Sequence, residues 1–144
     1  MKKLMIIVFV FAITSTVNAQ VKTPQPSTSQ TVTQTVGLTS LELSYSRPSM
    51  REREIFGTLV PYGEMWRTGA NGPTIVEFDD ETMVEGNKVE KGKYAMFTIP
   101  GEEMWTIIFN SNTKNNVKNY DESTETARFE VKSVKTESKK ETFT

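Results

Sequence analysis

The chain has no cysteine and no histidine among its 144 residues. Without cysteine it forms no disulfide, so an exported form must stand on its apolar core alone. Without histidine it lacks the commonest general base, any His-based triad, and the ligand on which most catalytic zinc and copper sites depend. No catalytic residue, metal ligand or cofactor is therefore assigned from the sequence. Long apolar runs are also missing: the longest, residues 4–13, is about half of the ~20 residues a bilayer-spanning helix needs. Neither sign of charge is in excess, with 17 basic against 18 acidic residues, so nothing electrostatic calls for nucleic acid or an anionic membrane as partner.

What is present begins with an address. Lys2 and Lys3 precede the apolar run, and "TVNAQ" follows it, with Val17 and Ala19 satisfying the small-residue rule for signal peptidase. Residues 1–19 read as a signal peptide cleaved after Ala19. The mature protein is then periplasmic or secreted, keeps no membrane anchor, and has the size of one domain. Residues 20–36 are rich in Pro, Ser, Thr and Gln, and read as a flexible lead-in whose last residues pair onto a sheet edge.

From residue 37 to 144 the pattern is that of strands. Leu41, Leu43 and Tyr45 alternate with Glu42, Ser44 and Ser46, and Thr74, Val76 and Phe78 alternate with Ile75 and Glu77. "TMVEGNKVE" reads as a hairpin turning at Gly86-Asn87. "KGKYAMFTIP" and "MWTIIFN" are apolar on both faces, as central strands are, and "ARFEVKS" places Ala127, Phe129 and Val131 inward. The polar run between them, "NSNTKNNVKNYDESTET", reads as a loop. The fold class is all-β, an antiparallel β-sandwich or jelly-roll-like arrangement. The chain stops just as Thr142, Phe143 and Thr144 begin another alternation, which points to further C-terminal strands beyond it.

Residues 47–73 break the pattern. Connections this long inside a domain tend to be functional or to fold locally. Ser49 and Glu52 have capping-box spacing, which predicts a helical turn near Met50 to Phe56. Arg47, Arg51, Arg53 and Arg67 are four of the five arginines in the chain, and Trp66 and Asn71 lie with them. Guanidinium forks suit carboxylate or phosphate, and an indole stacks on a sugar ring. These six residues are the candidate ligand-binding set. The bland reading has the arginines pairing with Glu52, Glu54 and Glu64, and Trp66 plugging the core.

"RPSMREREIFGTLVPYGEMWRTGAN" and "VEKGKYAMFTIPGEEMWTIIFN", with "NYDESTETARFEVK" after them, resemble the domain of unknown function 2911 family of exported bacterial proteins, common in Bacteroidetes. The resemblance covers most of the mature chain and brings no activity with it. The family's usual small residue, often glycine, is here Glu52, and its Trp-Gly pair ahead of the Tyr-Asp is absent from "NNVKNYDE". Members usually continue into further strands.

Three functions fit. The best is a binding module for a saccharide or small anionic ligand, using the Arg/aromatic loop 47–71. The second is a structural or protein-interaction component of the envelope. The third is a histidine-independent hydrolase working through carboxylates such as Glu52, Glu54, Glu64 or residues 79–81, whose spacing defines no catalytic pair.

Overall fold

A computed structural model describes residues 23–144; the expected signal peptide and its expected cleavage site lie outside the described residues. The fold is all-β and antiparallel. Strands β1 (Thr28–Val36), β2 (Thr39–Arg47), β3 (Thr74–Phe78), β6 (Gly92–Ile99), β7 (Met104–Asn110) and β8 (Glu125–Lys132) form one sheet in the order β1-β2-β3-β6-β7-β8. Between β3 and β6 the chain makes an excursion, the hairpin of β4 (Thr82–Val84) and β5 (Asn87–Val89). The sheet is thus a meander with one hairpin folded out of it.

Register sorts the side chains into two faces. Leu43 pairs with Val76, Val76 with Tyr94, Met96 with Phe109, and Phe109 with Ala127. That row belongs to an apolar face where Val76, Phe78, Tyr94, Phe109 and Phe129 are buried together. Val89 of β5 joins them at 2 % exposure, so the hairpin covers one end of this face and makes the architecture sandwich-like. On the opposite face Ala95, Phe97 and Ile108 are fully buried beneath Met65, Ile75, Ile99 and Tyr120. Covering β6 and β7 on both faces is what their unbroken apolar sequences require.

Three local expectations are corrected. The stretch read as a flexible lead-in is mostly strand: β1 takes nine residues and pairs with β2 along its whole length. The hairpin turns at Glu85-Gly86, one residue earlier than expected, with both residues at positive φ (48° and 77°) as a type I′ turn demands. Asn87 is a strand residue whose Nδ2 donates back to the Glu85 carbonyl (3.0 Å). No helical turn forms after Ser49, because Arg51 and Glu52 sit at φ 50° and 59°, the wrong hand for a right-handed helix.

Candidate functional site

The long connection leaves β2 at Arg47 and rejoins the sheet at Thr74. Toward its end, Trp66 forms a two-way bridge with Thr98, its N–H donating to the Thr98 carbonyl (2.7 Å) and its carbonyl accepting from the Thr98 N–H (2.9 Å). β3 is too short to reach this part of β6, and Trp66 takes the vacated pairing place. A residue paired with Thr98 shares its face, so the indole lies over the apolar side while Met65 packs into the opposite cluster.

Around Trp66 the rings form a continuous row. Phe143 meets Tyr45 at 5.6 Å and Trp66 at 5.3 Å between centroids. Phe56 meets Trp66 at 5.8 Å and Trp105 of β7 at 4.8 Å. All four contacts are edge-to-face, the arrangement the ring quadrupoles favour. Trp66 and Trp105 are half-buried, and Phe56 is 36 % exposed. Beside it the tip of the loop closes on itself, with Gly57 N–H donating to the Val60 carbonyl (2.9 Å) and Val60 N–H to that of Ile55 (2.8 Å). Tyr62 lies so close to Gly57 that a Cβ there would come within 2.9 Å of its ring. Leu59 and Tyr62 are left 54 % and 43 % exposed on this tip.

The six candidate residues separate into two groups. Arg47 binds the C-terminal segment, Nε donating to the Phe143 carbonyl (3.0 Å) and Nη2 to Thr142 Oγ1 (2.9 Å). Arg53 folds back onto its own loop, donating to the carbonyls of Met50 (3.0 Å) and Ser49 (2.9 Å). Asn71 Nδ2 donates to Ser46 Oγ (3.1 Å) and, at 3.4 Å, to the Ser27 carbonyl. Trp66 sits between Phe56 and Phe143. These four residues hold the loop. Arg51 and Arg67 are exposed, and among the described residues no hydrogen bond or ion pair engages either guanidinium. The expected pairing with Glu52, Glu54 and Glu64 does not form; the described ion pairs are Lys88–Glu81, Lys93–Glu77 and Arg128–Glu125. Trp66 and Arg67 also leave the bridge on opposite sides of the sheet, by the alternation of an extended segment.

The C-terminal segment belongs to this site. Met50 N–H donates to the Glu141 carbonyl (2.7 Å), and Phe143 N–H donates to that of Pro48 (3.0 Å), around a single bridge between Ser49 and Thr142. Backbone strain gathers here too. Of the five non-glycine residues at positive φ among the described residues, four (Arg51, Glu52, Thr68 and Asn71) are in the connection. Thr68 is β-branched and buried, which makes it a clear outlier. It is held by its hydroxyl on Thr98 Oγ1 (3.0 Å) and by its carbonyl, which accepts from Thr74 Oγ1.

A second polar constellation escaped sequence reasoning. In the loop before β8, Tyr120 donates to Glu125 Oε1 (2.7 Å), and Arg128 grips the same carboxylate through Nη2 (2.6 Å) and Nε (3.0 Å). Asn110, fully buried, ties the loop down by donating to the Asp121 carbonyl (2.9 Å) and accepting from Thr124 Oγ1 (2.8 Å). Burial first, and then the Glu125 hydrogen bond, push the Tyr120 phenol up to about 12. The Arg128 guanidinium, helped by the Tyr120 hydroxyl, holds the Glu125 carboxyl below its ordinary value. Both groups thus keep their resting protonation near neutrality, which suits a brace and not an acid–base pair. The only sequence signal was the Glu-x-x-Arg spacing, which looks the same on any solvated strand. In the acidic stretch 79–81 each carboxylate is occupied: Asp79 accepts from Ser40 N–H (2.6 Å), Asp80 from Glu81 N–H (2.8 Å), and Glu81 pairs with Lys88. No group of three or more acidic residues able to hold a metal ion occurs among the described residues.

Comparison with curated proteins and with solved structures gives no significant match. A family model described as "Protein of unknown function (DUF2911)" matches residues 27–144, taking in the whole sheet, the long connection and the aromatic row. The chain belongs to the DUF2911 family of proteins of unknown function.

Proposed function

We propose that this is an exported, non-catalytic binding module that receives a saccharide, best one carrying acidic groups, at the tip of the connection between β2 and β3. The observation that carries the reading is the exposed shelf made by Phe56, Leu59 and Tyr62 beside the half-buried Trp105. Pyranose rings lay their C–H faces on such rings, and a shelf serves them without an enclosed cavity. Two recesses, about 300 Å³ beside Lys88 and Tyr94 and about 250 Å³ between Ser29 and Pro73, are lined by none of the shelf residues. Arg51 is the guanidinium with its head left for an anionic group; Arg67 is also free but leaves the sheet on the other side, and Arg47, Arg53, Trp66 and Asn71 support the loop. The apolar leader argues for export.

Titration calorimetry of the mature chain against neutral and uronic-acid oligosaccharides tests this. Binding of an acidic oligosaccharide is expected, weakened at least tenfold by Tyr62→Ala and several-fold by Arg51→Ala, with thermal unfolding unchanged. Absence of binding across the panel overturns the saccharide reading. Retention of a stoichiometric envelope protein by the same shelf, abolished by Tyr62→Ala, would replace it with the protein-interaction reading.

A further inference from the structure

Sheets have two edges, and here they are built differently. β8 presents Arg128, Glu130 and Lys132 in alternation, the charged guard that keeps an edge from pairing with another chain. β1 has no such guard. Its nine residues, TSQTVTQTV, contain no charge, no proline and no glycine, and eight of the nine are exposed. Thr, Val and Gln on a flat edge favour strand pairing over protecting against it.

The order of those residues singles out the partner. Read outward from Val32, the strand is the same for two residues in each direction, Thr31 and Thr33, then Gln30 and Gln34; the next pair, Ser29 and Thr35, shares a hydroxyl, and Thr28 and Val36 differ. Two copies of an antiparallel strand related by a two-fold axis at Val32 would pair each residue with its own counterpart, as an isologous interface requires. We propose that β1 is a homodimerisation edge, joining two copies through antiparallel β1–β1 pairing centred on Val32 into one continuous twelve-stranded sheet.

The faces agree with this register. β1 places Gln30, Val32 and Gln34 opposite Tyr45, Leu43 and Leu41, on the apolar side of the sheet. Pairing Val32 with its copy closes an apolar row from Leu43 through both valines to the Leu43 of the partner subunit. Val32 is 37 % exposed, and this contact would cover it. Gln30 supplies an independent sign. Its Oε1 is buried with no hydrogen-bond partner, while Gln34 Nε2 reaches only the neighbouring Thr35 carbonyl (3.1 Å). The two-fold sets Gln30 against the Gln34 of the other copy, so that a turn of the Gln30 side chain toward the edge gives its oxygen the amide donor it lacks.

The absence of cysteine makes the test direct. Sedimentation of the mature wild-type chain at micromolar concentrations is expected to give twice the monomer mass. Val32→Cys is expected to cross-link to itself under mild oxidation, since directly opposed strand residues lie within disulfide reach. Thr35→Cys alone is expected not to cross-link, whereas Ser29→Cys with Thr35→Cys is. Val32→Lys, which sets two like charges together on the axis, is expected to give a monomer with unchanged circular dichroism and melting. A wild-type monomer at 100-fold higher concentration overturns the proposal. So does a dimer that survives Val32→Lys, or cross-linking of Thr35→Cys with itself in preference to Val32→Cys.

Discussion

Glu52 sits at φ 59° and Arg51 at φ 50°, a pair of left-handed residues in a chain that has eight glycines and uses none of them here. The family resemblance pointed to a small residue or glycine at position 52, and the backbone supplies the reason. A side chain in this region is strained, and Glu52 is exposed with no contact to compensate. Glu52→Gly is accordingly expected to stabilise the protein by about 0.5–1 kcal/mol in urea unfolding, the relief of strain outweighing the added freedom of the unfolded chain. At the other end of the site's chemistry, Tyr120 carries a folded-state value raised to about 12 from an ordinary 10. A raised value means that its contribution is complete below about pH 10 and disappears as pH climbs to about 12. Burial raises Tyr94 in the same direction. Stability should therefore fall across that alkaline window, and Tyr120→Phe should flatten the fall while costing about 1.5 kcal/mol at neutral pH. Glu125 has the opposite sign: its depressed value stabilises above the ordinary carboxylate range, and that stability drains as pH drops below it.

At the level of elements, the hairpin of β4 and β5 does the work of a second layer with six strand residues. Val89 is its anchor, at 2 % exposure against the Phe78–Tyr94–Phe109 group. Val89→Ala should cost about 2 kcal/mol, whereas the same change at the exposed Met83 should fall within about 0.5 kcal/mol, both read from denaturation midpoints. What the sequence could show depended on whether an element buries one face. β2, β3 and β8 alternate because one side of each is dry, so their inward residues were readable as Leu43, Val76 and Phe129. β1 was read as mostly flexible because an edge strand with eight exposed residues has no buried period to display. The hairpin turn slipped by one residue because Glu85 takes a positive φ more often seen in Gly or Asn. The four loop arginines were visible as a cluster. Their acceptors were not, because Arg47 and Arg53 bind main-chain carbonyls, and composition says nothing about where a carbonyl will point.

Across the whole molecule, the long connection and the C-terminal segment behave as one fastening. Arg47 reaches residues 142 and 143, Phe143 reaches Tyr45 and Trp66, and Met50 and Pro48 share backbone hydrogen bonds with residues 141 and 143. Phe143→Ala should lower stability by about 1.5–3 kcal/mol, less than a fully buried phenylalanine because this one is only half-buried. Arg47→Ala should cost about 1–2 kcal/mol, and the double variant less than the sum, since both remove the same contact set. Limited proteolysis should then cut first between residues 48 and 73. The row of rings has an optical consequence as well. The chain holds two tryptophans, and both touch Phe56, Trp66 at 5.8 Å and Trp105 at 4.8 Å. Indole emission therefore comes entirely from this corner and carries no signal from the hairpin end, where the near-ultraviolet chromophore is Tyr94. The protein contains its own fluorescent probe of whether the tip is seated, free of any label, and a sugar settling on Trp105 would announce itself as a change in colour.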